Sequence, residues 1–261
     1  MTAPPLRIRG PALRRALISG VRRVIAQRET LNRINVFPVP DGDTGSNLAF
    51  TLSGLLTGAL SRRTASAGEL LHRVGEDAVD SARGNSGAIL AQFFTGLAEA
   101  AGRHSALDPA VLAQAIRAGA ASARQALAEP REGTIISVIH AFAEALEARH
   151  GVSELRPWFQ NALARARQAL ANTPNQLPVL QKAGVVDAGA QGFVDLLEGI
   201  DEFMRGGRPT DEQQAEEDSG DLEAAQAHGE LFEGDPEHRW CSECLLIGEG
   251  LDRAGLRAAV S

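Results

Sequence analysis

Asn35-Val36-Phe37-Pro38-Val39-Pro40-Asp41-Gly42-Asp43-Thr44-Gly45-Ser46-Asn47 runs straight into the apolar segment Leu48–Leu56. Asp41 and Asp43 stand one residue apart in a glycine-bearing loop, a spacing at which two carboxylates can chelate a hard cation through oxygen. The residues that follow are small and hydroxylated, and they open a helix. A helix start presents unpaired backbone N–H groups and the positive end of a dipole, an environment that suits a phosphate. A plain capped turn, with Asp43 or Thr44 as N-cap, needs one such residue. It does not need two Asp, a Thr, a Ser, an Asn and two Gly. The stretch therefore reads as a loop feeding a helix, with a site for a metal–nucleotide complex at the junction.

Seven further helices are predicted around this one, and the fold class is all-α. Leu13, Leu17, Val21, Val24 and Leu31 mark one face of a helix over 11–32. The motif helix runs from Gly45 to near Gly58, and a third spans roughly 68–82, stopping at Arg83-Gly84-Asn85-Ser86-Gly87. A fourth covers 88–102. Asp108-Pro109, an N-cap followed by an N1 proline, opens a fifth that ends near Ala128. The sixth starts at Gly133-Thr134 and ends near His150-Gly151. The seventh starts at Ser153 and ends before Thr173-Pro174. The eighth starts at Asp187-Ala188-Gly189 and reaches Arg205. Gly184–Val186 is the one candidate strand in 1–206.

Composition agrees with helices. Aromatic residues make up only 4% of the 261 residues and Tyr is absent, which disfavours sheets. No apolar run reaches the roughly 18 residues of a membrane span and no secretory signal is visible. With just two cysteines, Cys241 and Cys244, a cytoplasmic location is expected. The net charge of −7 is unevenly spread. Residues 207–237 hold eleven Asp and Glu against one Arg, a local −10, which leaves +3 for the rest. That basic remainder relies on Arg, because Lys182 is the only lysine. A P-loop and a protein-kinase strand lysine are thereby excluded. If the chain handles ATP, a metal, backbone N–H groups and Arg must neutralise the phosphates. No long basic stripe argues for nucleic acid.

The predicted organisation is a loose tail over 1–10, a helical domain over 11–206, an acidic linker over 207–237, and the start of a truncated middle domain over 238–261. In the last segment Trp240–Ile247 reads as a strand and Leu251–Val260 as a helix start. Helices joined by short loops run up and down. The loops after helices 1, 3, 5 and 7 then share one end. These are the Asp41–Asn47 loop, Arg83–Gly87, Glu132-Gly133-Thr134 and Asp187–Gly192, each feeding a helix N-terminus. The loops at the opposite end, near 58–67, 103–107 and 150–153, carry no comparable motif. Shared phase makes the four a joint site.

Asn35–Asn47, Ala82-Arg-Gly-Asn-Ser-Gly87 and Ala183-Gly-Val-Val-Asp-Ala-Gly189 resemble the DhaL-like domain of bacterial fatty acid kinases, the dihydroxyacetone kinase L-subunit type. The resemblance covers about 10–206. It implies an antiparallel up-and-down eight-helix barrel with Mg2+ and ATP on one rim. It implies Asp41 and Asp43 as catalytic magnesium ligands, with Asn35 as a third metal-side ligand. Thr44, Gly45, Ser46, Asn47, Asn85, Ser86 and Gly87 would hold phosphates. Gly133, Thr134, Asp187, Ala188 and Gly189 would border the nucleoside. Dihydroxyacetone kinases carry His where Thr44 stands, and many fatty acid kinases have Gly-Gly-Lys-Gly where this chain has Gly189-Ala190-Gln191-Gly192. The Ala-Gln variant resembles proteins fused to a DegV-type fatty-acid-binding domain. Residues 238–261 resemble the start of the kinase middle domain, in which Cys241 matches a zinc-ligand position whose partners lie beyond residue 261. Within this chain two cysteines make half a zinc site.

The expected activity is ATP- and Mg2+-dependent phosphorylation of a fatty-acid carboxylate presented by a DegV-type protein or fused domain. Alternatives are a kinase acting on dihydroxyacetone or another small hydroxylated substrate, and a non-catalytic nucleotide sensor. His72, His104, His140 and His150 are expected at the surface rather than as bases, and Trp158 and Phe159 are expected to pack. The interior is expected to be lined by Leu, Ile, Val and Ala. Oligomeric state, a homodimer included, is left open by the sequence.

Overall fold

The computed structural model describes residues 6–149 and 152–206. The expected linker, the strand and helix of 240–260, Cys241 and His150 lie outside them. In chain order the elements are β1 (Ile8–Arg9), α1 (Gly10–Ala26), α2 (Arg28–Arg33), α3 (Thr44–Thr57), α4 (Ala67–Asp80), α5 (Gly84–Ala101), β2 (Ala106–Leu107), α6 (Pro109–Gln125), α7 (Ile135–Glu147), α8 (Leu155–Gln176), α9 (Pro178–Ala183) and α10 (Ala188–Met204). Eight of the ten described helices are long. Apart from α2 and α9, each long helix packs on the next: α1 on α3, then α4, α5, α6, α7, α8 and α10. α10 returns to α1. The result is the closed, mostly helical ring that the sequence led one to expect.

Local chemistry starts several of these helices. Ser66 caps α4 by accepting from the Glu69 amide, and Asp108 caps α6 by accepting from the Val111 amide at 2.9 Å, with Pro109 in the first turn. On α4, Leu70, Leu71, Val74 and Ala78 form the buried face.

The seam that closes the ring is antiparallel. Arg15 lies over the Phe203 ring, Gly20 faces Leu196, and Arg23 pairs with Glu198 and Glu202. A Cβ on Gly20 or Gly199 would meet the opposing backbone at 2.6 and 2.5 Å, so the two helices touch main chain to main chain. The interior is filled. Phe193 of α10 is fully buried and meets Phe93 of α5 and Phe142 of α7 edge to face, at 5.6 and 6.0 Å. Phe142 in turn meets Phe159 of α8 at 5.5 Å. The expected Leu, Ile, Val and Ala lining is therefore joined by a row of phenylalanines across the centre.

Four local expectations are corrected. The predicted helix over 11–32 is two, broken at Gln27 (φ −93°, ψ 5°). Residues 8–10 are not part of a loose tail: Ile8 is buried, β1 pairs antiparallel with β2, and Gly10 begins α1. Gly184–Val186 is not a strand, for Gly184 closes α9 in the left-handed region (φ 67°). α8 runs through Thr173-Pro174 to Gln176; Pro174 has no N–H to give the Leu170 carbonyl, and the Thr173 hydroxyl donates to that carbonyl instead at 2.8 Å. No described helix is long and apolar enough to cross a membrane.

Candidate functional site

The N-termini of α3, α5, α7 and α10 are linked by direct contacts at one end of the ring. At α3, Asp43 occupies the N-cap position but makes no side-chain cap bond. Asn32 of α2 takes over that role. Its Oδ1 accepts from the Ser46 amide at 3.0 Å and its Nδ2 donates to the Ser46 hydroxyl at 3.0 Å. The Asp43 carboxylate is thus not consumed by the helix it precedes. Burial and the neighbouring Asp41 charge push the Asp43 carboxyl above its ordinary range, and the Asn47 side chain partly offsets them. Asn35 is buried. Its Nδ2 donates to Asp41 Oδ1 at 2.6 Å, and its Oδ1 has no hydrogen-bond partner.

Asn47 links α3 to α5. A Cβ on Gly84 would overlap the Asn47 amide, and Gly84 has φ 57°, so the start of α5 accepts only glycine without strain. The Arg83 amide donates to Thr51 Oγ1 at 3.0 Å. α5 has no side-chain cap, and its first intrahelical bond runs from the Gly87 amide to the Arg83 carbonyl. The amides of Gly84, Asn85 and Ser86 have no acceptor among the described residues.

Asp187 ties together the other two N-termini. Its Oδ1 accepts from the Ala190 amide of α10 at 2.8 Å and from the Ile135 amide of α7 at 3.0 Å. Its own amide donates to Thr173 Oγ1 at 3.2 Å, fixing it to α8. Burial raises its pKa to about 6 against those two hydrogen bonds. A Cβ on Gly189 would lie 2.8 Å from Ser86 Oγ, which brings α10 onto α5. Ala188 is buried beneath it. Thr134 precedes α7 but donates to the Arg131 carbonyl at 2.7 Å instead of capping. Gly133 (φ 82°) is wedged against Gln176 and Leu177. Of the sequence-predicted residues, Asn35, Asp41, Asp43, Ser46, Asn47, Ser86, Asp187 and Gly189 are joined in this web. Gly133 and Thr134 face the end of α8 and the preceding turn. Sequence reading passed over Asn32, Thr173 and Arg83. A polar residue one turn before the motif was the only signal for Asn32.

His72 and His140 each pair with a carboxylate one turn on, Glu76 and Glu144, and His104 Nδ1 bonds the Ala101 carbonyl at 2.8 Å. A groove of about 550 Å³ lined by His72, Glu76, Asp77, Asp80, Thr95 and Glu99 shares no residue with the rim.

Asp187 has a pH signature. The native carboxyl binds its proton near pH 6 and the unfolded one near 3.8. Between those values the native state holds more protons, so this group's contribution to stability falls as pH rises through the window. Asp187→Asn keeps an acceptor oxygen without the charge. Its stability relative to wild type should rise by about 2–3 kcal/mol between pH 4 and pH 7, whereas Asp187→Ala should lose about 1–2 kcal/mol of capping. Urea unfolding across that range is the check, and a pH-independent difference between Asp187→Asn and wild type would contradict it.

Residues 38–202 match the DAK2 domain. Uncharacterized proteins of Staphylococcus aureus strains USA300 and COL are each 32% identical over 201 residues, covering 77% of this chain and 37% of their own length. The chain therefore spans little more than a third of these curated relatives. The fold is shared with the dihydroxyacetone kinase from C. freundii. The crystal structure in complex with AMP-PNP and Mg2+ superposes with TM-score 0.59 at 19% identity, and the native form with 0.58 at 20%. Each comparison covers 77% of this chain and 36% of that one. The family match runs from the loop before α3 to the last turn of α10 and takes in all four rim N-termini, with Asn32 and Asn35 just ahead of it; the chain belongs to the DAK2 domain family.

Proposed function

We propose that the rim is a Mg2+–ATP site and that the domain transfers the γ-phosphoryl group to a fatty-acid carboxylate presented by a DegV-type fatty-acid-binding protein or fused domain. One observation carries the metal assignment. Asp43 is released from capping by Asn32 and lies against Asp41, and Asp41 accepts from a buried Asn35 whose Oδ1 lacks a partner. Two crowded carboxylates and an orphaned amide oxygen form a hard-oxygen set that a divalent cation would satisfy. Among the described residues no group of three or more His, Cys, Asp and Glu is placed to hold a metal, and a pair of carboxylates completed by phosphate oxygens suits Mg2+. Asp41, Asp43 and Asn35 would hold Mg2+, which would supply positive charge to oppose that of the phosphates.

The chain's own residues supply the rest. Thr44, Gly45, Ser46 and Asn47 at α3, with Asn85, Ser86 and Gly87 at α5, hold phosphates through the amides of Thr44, Gly45, Asn85 and Ser86 and through short polar side chains, the Ser46, Asn47 and Gly87 amides being taken by Asn32, Asp43 and Arg83. Ala188, Gly189, Gly133 and Thr134 border the nucleoside. Asp187 keeps that wall in place by bonding α7 to α10. The dihydroxyacetone kinase fold favours one second reading, a small hydroxylated acceptor. A hydroxyl must lose a proton during transfer, whereas a carboxylate is already ionised at neutral pH. The contacts of His72, His104 and His140 lie within their own local segments, which fits the carboxylate better. The filled interior also leaves the acyl tail to a carrier.

The test is acyl-phosphate formation from labelled ATP. The chain with free fatty acid should give little product, and a lipid-loaded DegV-type protein should raise the rate at least about tenfold by holding the carboxylate in line. Efficient phosphorylation of dihydroxyacetone with none of the carried fatty acid reverses the acceptor assignment. Nucleotide binding without turnover on either acceptor favours a sensor. The division into helical domain, acidic linker (207–237) and middle-domain start (238–261) belongs to the same proposal. Proteolysis that leaves a fragment ending near residue 206 would support it.

A further inference from the structure

We infer that Arg83 is the side chain that holds the terminal phosphoryl group of the bound nucleotide, a role that rests on the Mg2+–ATP reading above. Three observations place it. First, Arg83 is two contacts from the carboxylate pair: Asp43 interacts with Asn47, and Asn47 packs on Gly84. Its backbone is pinned to α3 by the Thr51 hydroxyl. Second, its guanidinium carbon lies 4.6 Å from the centre of the half-buried Phe50 ring, and Nη1 donates to the Ala82 carbonyl at 2.8 Å. A ring against the guanidinium restrains the head group, and the N–H groups not used on the Ala82 carbonyl remain available. Third, that charge is unspent. Arg28, Arg124 and Arg131, also near rim loops, pair with Glu29, Glu132 and Glu129, whereas Arg83 makes no ion pair among the described residues.

Arg33 and Lys182 also lack carboxylate partners. They occupy the last turns of α2 and α9, where a cation complements the helix dipole, and neither touches the α3–α5 junction in any recorded contact. At each of the other N-termini a side chain takes one amide: Asn32 accepts from Ser46 of α3, and Asp187 accepts from Ile135 of α7 and Ala190 of α10. Among the described residues α5 is the rim helix whose first amides meet no side-chain acceptor, and Arg83 is the residue immediately before it.

The chemistry needs such a group. Transfer breaks the bond between the γ-phosphorus and the oxygen bridging to the β-phosphate, and forms one between that phosphorus and an acceptor oxygen. The nucleoside diphosphate departs with the bridging electron pair. Arg83 moves no proton and forms no covalent bond. Its planar fork opposes the charge on the γ oxygens as the bonds exchange, the part an arginine plays in other phosphoryl transfers.

The test is calorimetry of the full chain with Mg–ADP and Mg–AMP-PNP, which differ in the γ group. In Arg83→Met, affinity for Mg–AMP-PNP should fall about tenfold or more while affinity for Mg–ADP changes by less than about threefold. Arg83→Lys should lie between wild type and Arg83→Met for AMP-PNP, since it keeps the charge without the fork. It also serves as the reading if Arg83→Met melts early. Equal losses for both nucleotides, or none, in a folded variant overturn the role of Arg83 and leave the site reading intact. Wild-type chain that binds neither nucleotide overturns the site reading and this inference with it.

Discussion

Asp43→Ala should lower the affinity for Mg–ATP about a hundredfold or more, and Asp41→Ala should do the same, with neither variant losing its fold. Removing one carboxylate from a hard-oxygen set halves the anionic charge that neutralises the cation, a larger change than the roughly 10–100-fold typical of losing an outer-shell partner. The fold should survive because the loop buries no apolar residue of the core and α3 is capped by Asn32 rather than by Asp43. Without magnesium, Asp43→Ala should melt at the same temperature as wild type or slightly higher, since it relieves the crowding that raises the Asp43 pKa. Asp43→Asn separates charge from shape: it keeps an oxygen and should recover only part of the affinity. Calorimetry with and without Mg2+ decides the matter, and wild-type affinity in both alanine variants would remove the metal assignment.

The second large effect is on stability. Phe193→Ala should cost about 3–5 kcal/mol. Phe193 is 0% exposed and is the one ring that touches both Phe93 and Phe142. It joins α5, α7 and α10 at the middle of the ring, where no chain can relax inward without opening a seam elsewhere. The loss of two edge-to-face contacts adds to the cavity. Phe193→Leu should cost much less, about 1–1.5 kcal/mol. Against a total of roughly 5–15 kcal/mol for a domain, the alanine variant should show a large fall in urea midpoint. A fall of under about 1 kcal/mol would mean that the ring is looser than its packing indicates.

The helices were legible because each carries its own period and several carry their own start signals, as at Ser66 and Asp108. The phase of the glycine-bearing loops was legible because an up-and-down chain has just two ends. Partners distant in sequence were not legible. Asn32 looks like any polar residue near the end of a helix until Ser46, 14 residues later, folds back on it. The pairing of Ile8–Arg9 with Ala106–Leu107 rests on two residues from each strand, too few for a period to register. Pro174 signalled a helix end, and the Thr173 hydroxyl takes up the carbonyl that the proline leaves without a donor. Arg83 stood inside a quoted motif, but its lack of an ion pair became visible only when Arg28, Arg124 and Arg131 beside the other rim loops were seen to pair with Glu29, Glu132 and Glu129.

The antiparallel closure of α10 on α1 fixes where anything attached to this domain must depart. Asp187 and Gly189 set the start of α10 at the rim, and its 17 residues then lead about 25 Å away from it. α1 begins at that same distant end, because Arg15 lies beside Phe203. Both ends of the ring, the start of α1 and the end of α10, thus lie opposite the proposed phosphate site. An acceptor domain in cis needs a tether long enough to travel the height of the ring before it can present a carboxylate. A carrier arriving in trans meets no such detour, so tether length is the variable on which the two modes of delivery diverge.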